Sequence, residues 1–424
     1  MKQWIGYGNE KIWFNIPDGA VCYELAPNQI EPVKDPKKEI SDALDNAIGI
    51  KLEDIISPGK RICFISDDIS RPTPVGSILN VLIPRLLGLG AKEKDIYIVV
   101  ALGSHRRMTD EEIQQKLGKD VVSRYPVYQS SFTDSSEMLN LGNIESGINI
   151  TVFRKVMDSD IRIGIGNIVP HNALGWSGGS KILFPGVTSE STVSQFHMKA
   201  MLRSENRVFG NVDNPVRHEV EEWTEKIGLH FIVNTILDRY SQIYRVVAGH
   251  YIKAHRMGVK FAEEVYSVKS PCMADIVIVD SHPSDCDFWQ GTKGFNPSDI
   301  VLHDGGSAIL VSPFYEGEGP HHEYPIMAGR DDATELLNEI YTNGPNYLGD
   351  MDPLAISVGA LISRMRQRFD MYVFSDGIND AVLESAKIHR TRDISLELER
   401  LNSKYGGHAK IIIIHCGAEI VPVL

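Results

Sequence analysis

Short runs of β-branched and other apolar residues recur at 61–66, 95–102, 160–165, 274–280, 307–312, 371–374 and 410–415, and each reads as a buried strand. Between several of them the apolar positions fall at helical spacing, predicting helices at 74–87, 110–117, 219–226, 333–342 and 353–369. Strands that alternate with helices predict largely parallel sheets. At 424 residues the chain is too long for one ordinary core, so two α/β domains with a cleft between them are expected. The segment SVKSPCM at 267–273 interrupts a helical stretch, and ADIVIVD then opens a new series. A first domain at 1–270 and a second at 271–407 follow, with 267–273 as a candidate hinge. The tail at 408–424 reads as a buried strand and a short extended piece, expected to pack back on the first domain.

Charge narrows the choice of partners. The chain carries 43 Lys and Arg against 56 Asp and Glu, a net charge of −13. At long range this repels a phosphate backbone or an anionic membrane surface, so neither is an expected partner. An anionic small molecule has to be drawn in by a local cluster of Arg, Lys and His. Cys22, Cys63, Cys272, Cys286 and Cys416 are widely spaced, with no C-x-x-C pair, and read as reduced thiols. No secretory signal and no apolar run of membrane-spanning length is present, and a cytoplasmic location is expected.

In open parallel sheets ligands sit beyond the carboxyl ends of the strands, so the residues just after each apolar run carry the information. There the sequence places Asp67, Asp68 and Arg71 in SDDISRPTP, His105 in LGSHRR, His171 and Lys181 in GNIVPHNALGWSGGSK, and Trp289, Gln290 and Lys293 in DSHPSDCDFWQGTKG. Asp67 or Asp68 taken alone reads as an N-cap for the helix that follows, since Pro72 and Pro74 suit a helix start. His282, His321, His322 and His415 read as structural or surface residues. The loop GWSGGSK resembles a phosphate cradle but fails the P-loop pattern, because Ser180 stands at the second glycine position and Ile182 follows Lys181. The backbone amides of Gly178 and Gly179 remain candidates for holding an anion. Gly164-Ile165-Gly166 is a fragment of a dinucleotide fingerprint, without its third glycine. A zinc hydrolase or lyase built on His105, His171 and His197 is the alternative reading, although no H-E-x-x-H spacing and no fourth ligand are evident.

PHNALGWSGGSKILFPGV followed by QFHMKAML, with DDISRP, LGSH and WQGTKG in order around them, resembles the lactate racemase family, which uses a nickel-pincer nucleotide. The resemblance covers most of the chain. It implies a 2-hydroxy acid racemase or epimerase in which Lys181 is joined covalently to a nickel pyridinium-3,5-bisthiocarboxylic acid mononucleotide and His197 completes the nickel coordination. By the same resemblance His105 and His171 are the acid–base pair on opposite faces of the substrate. Arg71, Gln290 and Lys293 hold substrate or cofactor, and Asp68 lies near the cofactor. The enzymes that make the cofactor are implied as partners. Two positions depart from the family pattern: Trp289 stands where lactate racemase has a substrate-contacting tyrosine, and Leu354, in Asp352-Pro353-Leu354-Ala355, stands where a late tryptophan is expected. Loss of the phenolic hydroxyl reshapes the pocket, so malate, 2-hydroxyglutarate, a longer aliphatic or aromatic hydroxy acid or a sugar acid is as compatible as lactate.

Overall fold

The computed structural model describes residues 1–143, 147–202, 208–343, 347 and 352–424. Two six-stranded sheets organise it. The first runs in the order Ile243–Gly249, Phe231–Leu237, Ile161–Asn167, Ile62–Asp67, Ile96–Ala101, Val127–Gln129. All its neighbours are parallel except the hairpin of Phe231–Leu237 with Ile243–Gly249. The second runs His389–Arg390, Asp370–Phe374, Leu302–Val311, Ala274–Asp280, Lys410–Ile414, Val21–Leu25 and is parallel throughout. The expected α/β class with parallel sheets is therefore the observed one. The strands Ile161–Asn167 and Phe231–Leu237 are buried at every residue, as parallel strands covered on both faces must be.

One face of the first sheet packs on the helices Pro36–Asp45, Val75–Gly88 and Asp110–Leu117 through residues such as Ile40, Leu79, Leu82 and Leu117. The other packs on Pro215–Ile227 and on Glu190–Leu202. The latter helix is enclosed from the far side by Ala333–Asn343 and Pro353–Arg368, with Phe196 and Ala200 in the same core as Leu337, Ile340, Ile356 and Ala360.

The expected partition changes at both ends of the chain. Val21–Leu25, assigned by sequence to the first domain, is the edge strand of the second sheet and pairs with Lys410–Ile414, Tyr23 lying opposite Ile412. The antiparallel hairpin Lys2–Tyr7 and Glu10–Asn15 goes with it, burying Ile5 and Phe14 against Ile278, Ile411 and Leu398. The tail divides. Lys410–Ile414 enters the second sheet rather than packing on the first domain, because its run of isoleucines fills the slot between Val21–Leu25 and Ala274–Asp280. Only the residues after it reach back, where Val421–Val423 pairs with Ser267–Lys269 at the expected domain junction.

Ile412 is fully buried in this central strand. Ile412→Ala is expected to cost roughly 2–5 kcal/mol of stability, read as a lowered midpoint in urea unfolding.

Candidate active site

The carboxyl ends of Ile62–Asp67 and Ile161–Asn167 lie side by side where the first sheet reverses its strand order, the position at which such sheets bind ligands. Facing them is the loop after Ala274–Asp280. Between the two sets of loops lie adjoining chambers of about 140 and 500 Å³. Asp68, Arg71, His105, His171, Lys181, Trp289, Gln290 and Lys293 line both, while Gly178 and His197 line the smaller. Leu354 also lines the smaller chamber. Residues spread over most of the sequence are thus brought to one place.

Asp68 does not cap a helix, contrary to the simpler expectation. The helix Val75–Gly88 has Pro74 at its N-cap and no side-chain cap. Asp68 Oδ2 instead accepts from His105 Nδ1 (2.6 Å), and its Oδ1 accepts from the Ser70 amide (3.0 Å) and hydroxyl (2.5 Å). Burial alone would raise the Asp68 carboxyl, but the charge and hydrogen bond of His105, aided by Arg71, outweigh it and hold the group well below the usual carboxylate range. The neighbouring Asp67 pairs with buried Lys116 (2.8 Å), and the same ammonium donates to the Arg71 carbonyl (2.6 Å), fixing the loop from beneath.

The two histidines of the cleft are wired in opposite senses. His105 gives its Nδ1 proton to Asp68, so Nε2 carries the lone pair. The Gln290 amide nitrogen lies 3.4 Å from that Nε2, and Lys293 donates to the Gln290 oxygen, which orients the amide as a donor. In His171 it is Nδ1 that accepts, from the Ala173 amide (3.2 Å), so the neutral ring carries its proton at Nε2. Burial, then Lys181, Lys293, His197 and Arg71, push His171 well below its ordinary value and keep it neutral.

The glycine loop is held by its carbonyls. Arg217, fully buried, donates to the carbonyls of Leu174 (3.4 Å), Gly178 (3.2 Å) and Trp176. His255 Nε2 takes the Ser177 carbonyl (2.8 Å). Gly178 needs its left-handed φ of 76°, and a Cβ there would sit 2.8 Å from Ile168 and 2.9 Å from Asn234. Gly179 departs from expectation: its amide is spent on Asn234 Oδ1 (2.9 Å) and it packs on His255, leaving it no anion to hold. Lys181 follows in a short 3-10 turn, Gly179–Ile182, and its ammonium has no carboxylate partner among the described residues. Burial, and then Arg71, bring it down to about 7.

His197 sits on Glu190–Leu202. Its Nδ1 donates to the Val193 carbonyl (2.9 Å), which leaves Nε2 as a free acceptor, and burial lowers it to about 4. A neutral imidazole with the far nitrogen anchored is the state in which histidine binds a metal. The three histidines do not converge as the zinc alternative requires. Among the described residues the only group of three potential ligands close enough to share an ion is Cys286, Asp287 and Glu316.

Sequence reasoning missed several residues of these walls. Asn167 lines the smaller chamber with its amide nitrogen buried and unpartnered. Glu419, delivered by the C-terminal tail, lines the larger one, and burial pushes it up to about 7. His321, set aside as structural, lines it as well. A polar residue directly after an apolar strand was the signal available for Asn167. Arg217 and His255 have no local signal.

The cleft thus gathers two oppositely wired histidines and a lysine without a carboxylate partner among the described residues, and comparison with known proteins gives the class. Residues 7–210 match the lactate racemase N-terminal domain and 269–422 the lactate racemase C-terminal domain. Lactate racemase of Lactiplantibacillus plantarum is 28% identical over 388 residues, 91% of this chain and 90% of that one. That of Thermoanaerobacterium thermosaccharolyticum is 26% identical over 424 residues, 98% of each. The structure of the lactate racemase apoprotein from the latter organism superposes with a TM-score of 0.88 at 25% identity, covering 100% of both chains. A Thermotoga maritima protein shares the fold, with a TM-score of 0.72 at 20% identity over 94% of this chain and 100% of its own. The chain belongs to the lactate racemase family and is an isomerase of the racemase type. No described helix is long and apolar enough to cross a membrane.

Two outcomes follow from the Lys181 environment. Acylation requires the neutral amine, so labelling of Lys181, followed by peptide mass spectrometry, is expected to level off just above pH 7, while exposed lysines keep gaining through their ordinary value of 10.5. Because Lys181 titrates near 7 when folded and near 10.5 when unfolded, the unfolded chain binds the extra proton between these values. Its burial therefore costs stability, fully below pH 7 and progressively less as pH rises to 10.5. Lys181→Met is expected to stabilise the fold at neutral pH by about 1–3 kcal/mol, measured by denaturant unfolding, with the gain shrinking in alkali.

Proposed function

We propose that the chain interconverts the enantiomers of a small 2-hydroxy carboxylic acid, lactate or a larger one such as malate, in this cleft. We further propose that it does so with a nickel-pincer nucleotide joined to Lys181. The observation that carries this reading is the opposite wiring of His105 and His171 on the walls of one cavity that also holds an unpaired lysine. The residues present fit the group: Lys181 offers a partly neutral amine for the covalent link, His197 Nε2 a lone pair for nickel, and Asn167 a buried amide without a partner. When bound, that group supplies a hydride acceptor, so that C2 passes through a planar keto acid and loses its handedness.

The chain's own residues do the rest. Arg71 and Lys293 attract and orient the substrate carboxylate, Arg71 with a bidentate fork and Lys293 as a point charge. His105 takes the hydroxyl proton at Nε2, and Asp68 stabilises the imidazolium that results. His171 donates its Nε2 proton in a hydrogen bond to the substrate oxygen from its own side. To serve as the base for the opposite enantiomer it must release the Ala173 amide and exchange its tautomer. An anionic ligand offsets the cations that depress His171 and so raises its proton affinity.

Lactate is supported by the substrate in the names of both relatives. A larger acid is supported by Trp289 and Leu354, which line the cavity where the family carries other side chains. The free thiols suit a cytoplasmic setting.

Coexpression with cofactor-synthesis enzymes is expected to give a mass adduct on Lys181 that is absent from Lys181→Ala, and chiral chromatography is expected to show racemisation of single enantiomers. His105→Ala and His171→Ala should each lower kcat by roughly 10²- to 10⁴-fold while keeping the adduct. An active enzyme with unmodified Lys181 overturns the reading.

A further inference from the structure

His321, on the wall of the larger chamber, forms a second histidine–aspartate pair with Asp352 behind it, outside the machinery described so far. His321 is 7% exposed, and its Nδ1 is hydrogen-bonded to the Asp352 carboxylate. Asp352 is fixed in turn, because its other oxygen caps the helix Pro353–Arg368 by accepting from the Leu354 (2.9 Å) and Ala355 (3.2 Å) amides. The imidazole lies against the indole of Trp289, ring centroids 4.1 Å apart. With Nδ1 committed, Nε2 is left buried and without a partner. Leaving such a nitrogen unpaired costs about 1–3 kcal/mol, and most of the other unpartnered polar groups of this chain, such as Ser66, Ser194 and Ser298, are in neither chamber wall.

We propose that His321, held by Asp352, is a specificity-determining residue whose free Nε2 receives a hydrogen-bonding substituent, hydroxyl or carboxylate, that the substrate carries beyond C2. The proposal rests on the racemase reading of the cleft and deepens it. A hydroxyl donates to the Nε2 lone pair of the neutral ring. A carboxylate is met by the same nitrogen once it carries a proton, the imidazolium being offset by Asp352. An aliphatic substituent leaves the nitrogen unpaired and is disfavoured, which is how sites built to hydrogen-bond a substrate reject analogues that lack the group. Trp289 forms the apolar side of the same subsite.

Four acids of similar size separate these cases: lactate, 2-hydroxybutyrate, glycerate with a hydroxyl on C3, and malate with a second carboxylate. Calorimetric titration of the purified full-length protein, with kcat/KM on adduct-bearing enzyme beside it, is expected to show glycerate or malate favoured over 2-hydroxybutyrate by about tenfold or more. Whichever of the two is favoured identifies the substituent as hydroxyl or carboxylate. In His321→Leu the ratio should fall toward one, and His321→Gln, which keeps a polar terminus, should restore part of it. Asp352→Asn serves as a second variant if His321→Leu does not fold, and is expected to reduce the same ratio. A wild-type protein without the preference, a preference that survives His321→Leu, or an equal loss for all four acids overturns the role of His321 while racemisation of lactate leaves the cleft reading intact. Failure of adduct-bearing protein to bind or racemise any of the four rejects both.

Discussion

Arg217 is fully buried, and its guanidinium donates to the backbone. Three carbonyls of the segment from Leu174 to Gly178 converge on it, with Ser177 taken by His255. Burial lowers it to about 9, so it keeps its charge at neutral pH. A buried charge is tolerated only when its donors are satisfied, and here the satisfying groups are the loop itself. With its carbonyls turned down toward Arg217 and His255, the loop delivers His171 and Lys181 to the cavity from its two ends. The entry of these two side chains into the cleft derives from that one arrangement.

The electrostatics of the cleft invert those of the whole chain. A protein of net charge −13 gathers Arg71, Lys181 and Lys293 on the walls of one cleft, with buried Asp68 among them. Burial, reinforced by these like charges, lowers Lys181 to about 7 and holds Lys293 well below its ordinary value. The same cations, with burial, leave His171 neutral, at a cost in stability that an anionic ligand offsets. His105 is placed differently, with its Nδ1 donating to the Asp68 carboxylate. One carboxylate thus distinguishes the surroundings of His105 from those of His171, whose Nδ1 accepts from a backbone amide.

Much of this was legible in the sequence because parallel sheets concentrate their chemistry after their strands. Asp68, Arg71, His105, His171, Lys181 and Lys293 could be picked out from position alone. What escaped did so for identifiable reasons. The helix Glu190–Leu202, which carries His197, is covered on several sides, so Thr192, Phe196, Met198 and Ala200 are all buried and no single apolar stripe announces it. Asp68 read as a cap because its real partner lies 37 residues away, and Asp352 is likewise 31 residues from His321. Spacing located the glycine loop but could not tell that the Gly179 amide is spent on Asn234. Val21–Leu25 was passed over because an edge strand, half exposed and polar at Glu24, lacks the continuous apolar signature of its central neighbours.

That edge strand has a consequence for how the protein is made. Val21–Leu25 emerges from the ribosome long before its one partner, Lys410–Ile414, is synthesised. The first sheet, complete by Gly249, can close while the remainder is still being translated. The second cannot, and the hairpin Lys2–Tyr7 with Glu10–Asn15 waits beside its strand with Ile5 and Phe14 uncovered. Along Val21–Leu25 only Leu25 is buried, while Val21 and Glu24 are exposed, which denies a waiting strand the flat apolar edge on which nascent chains aggregate.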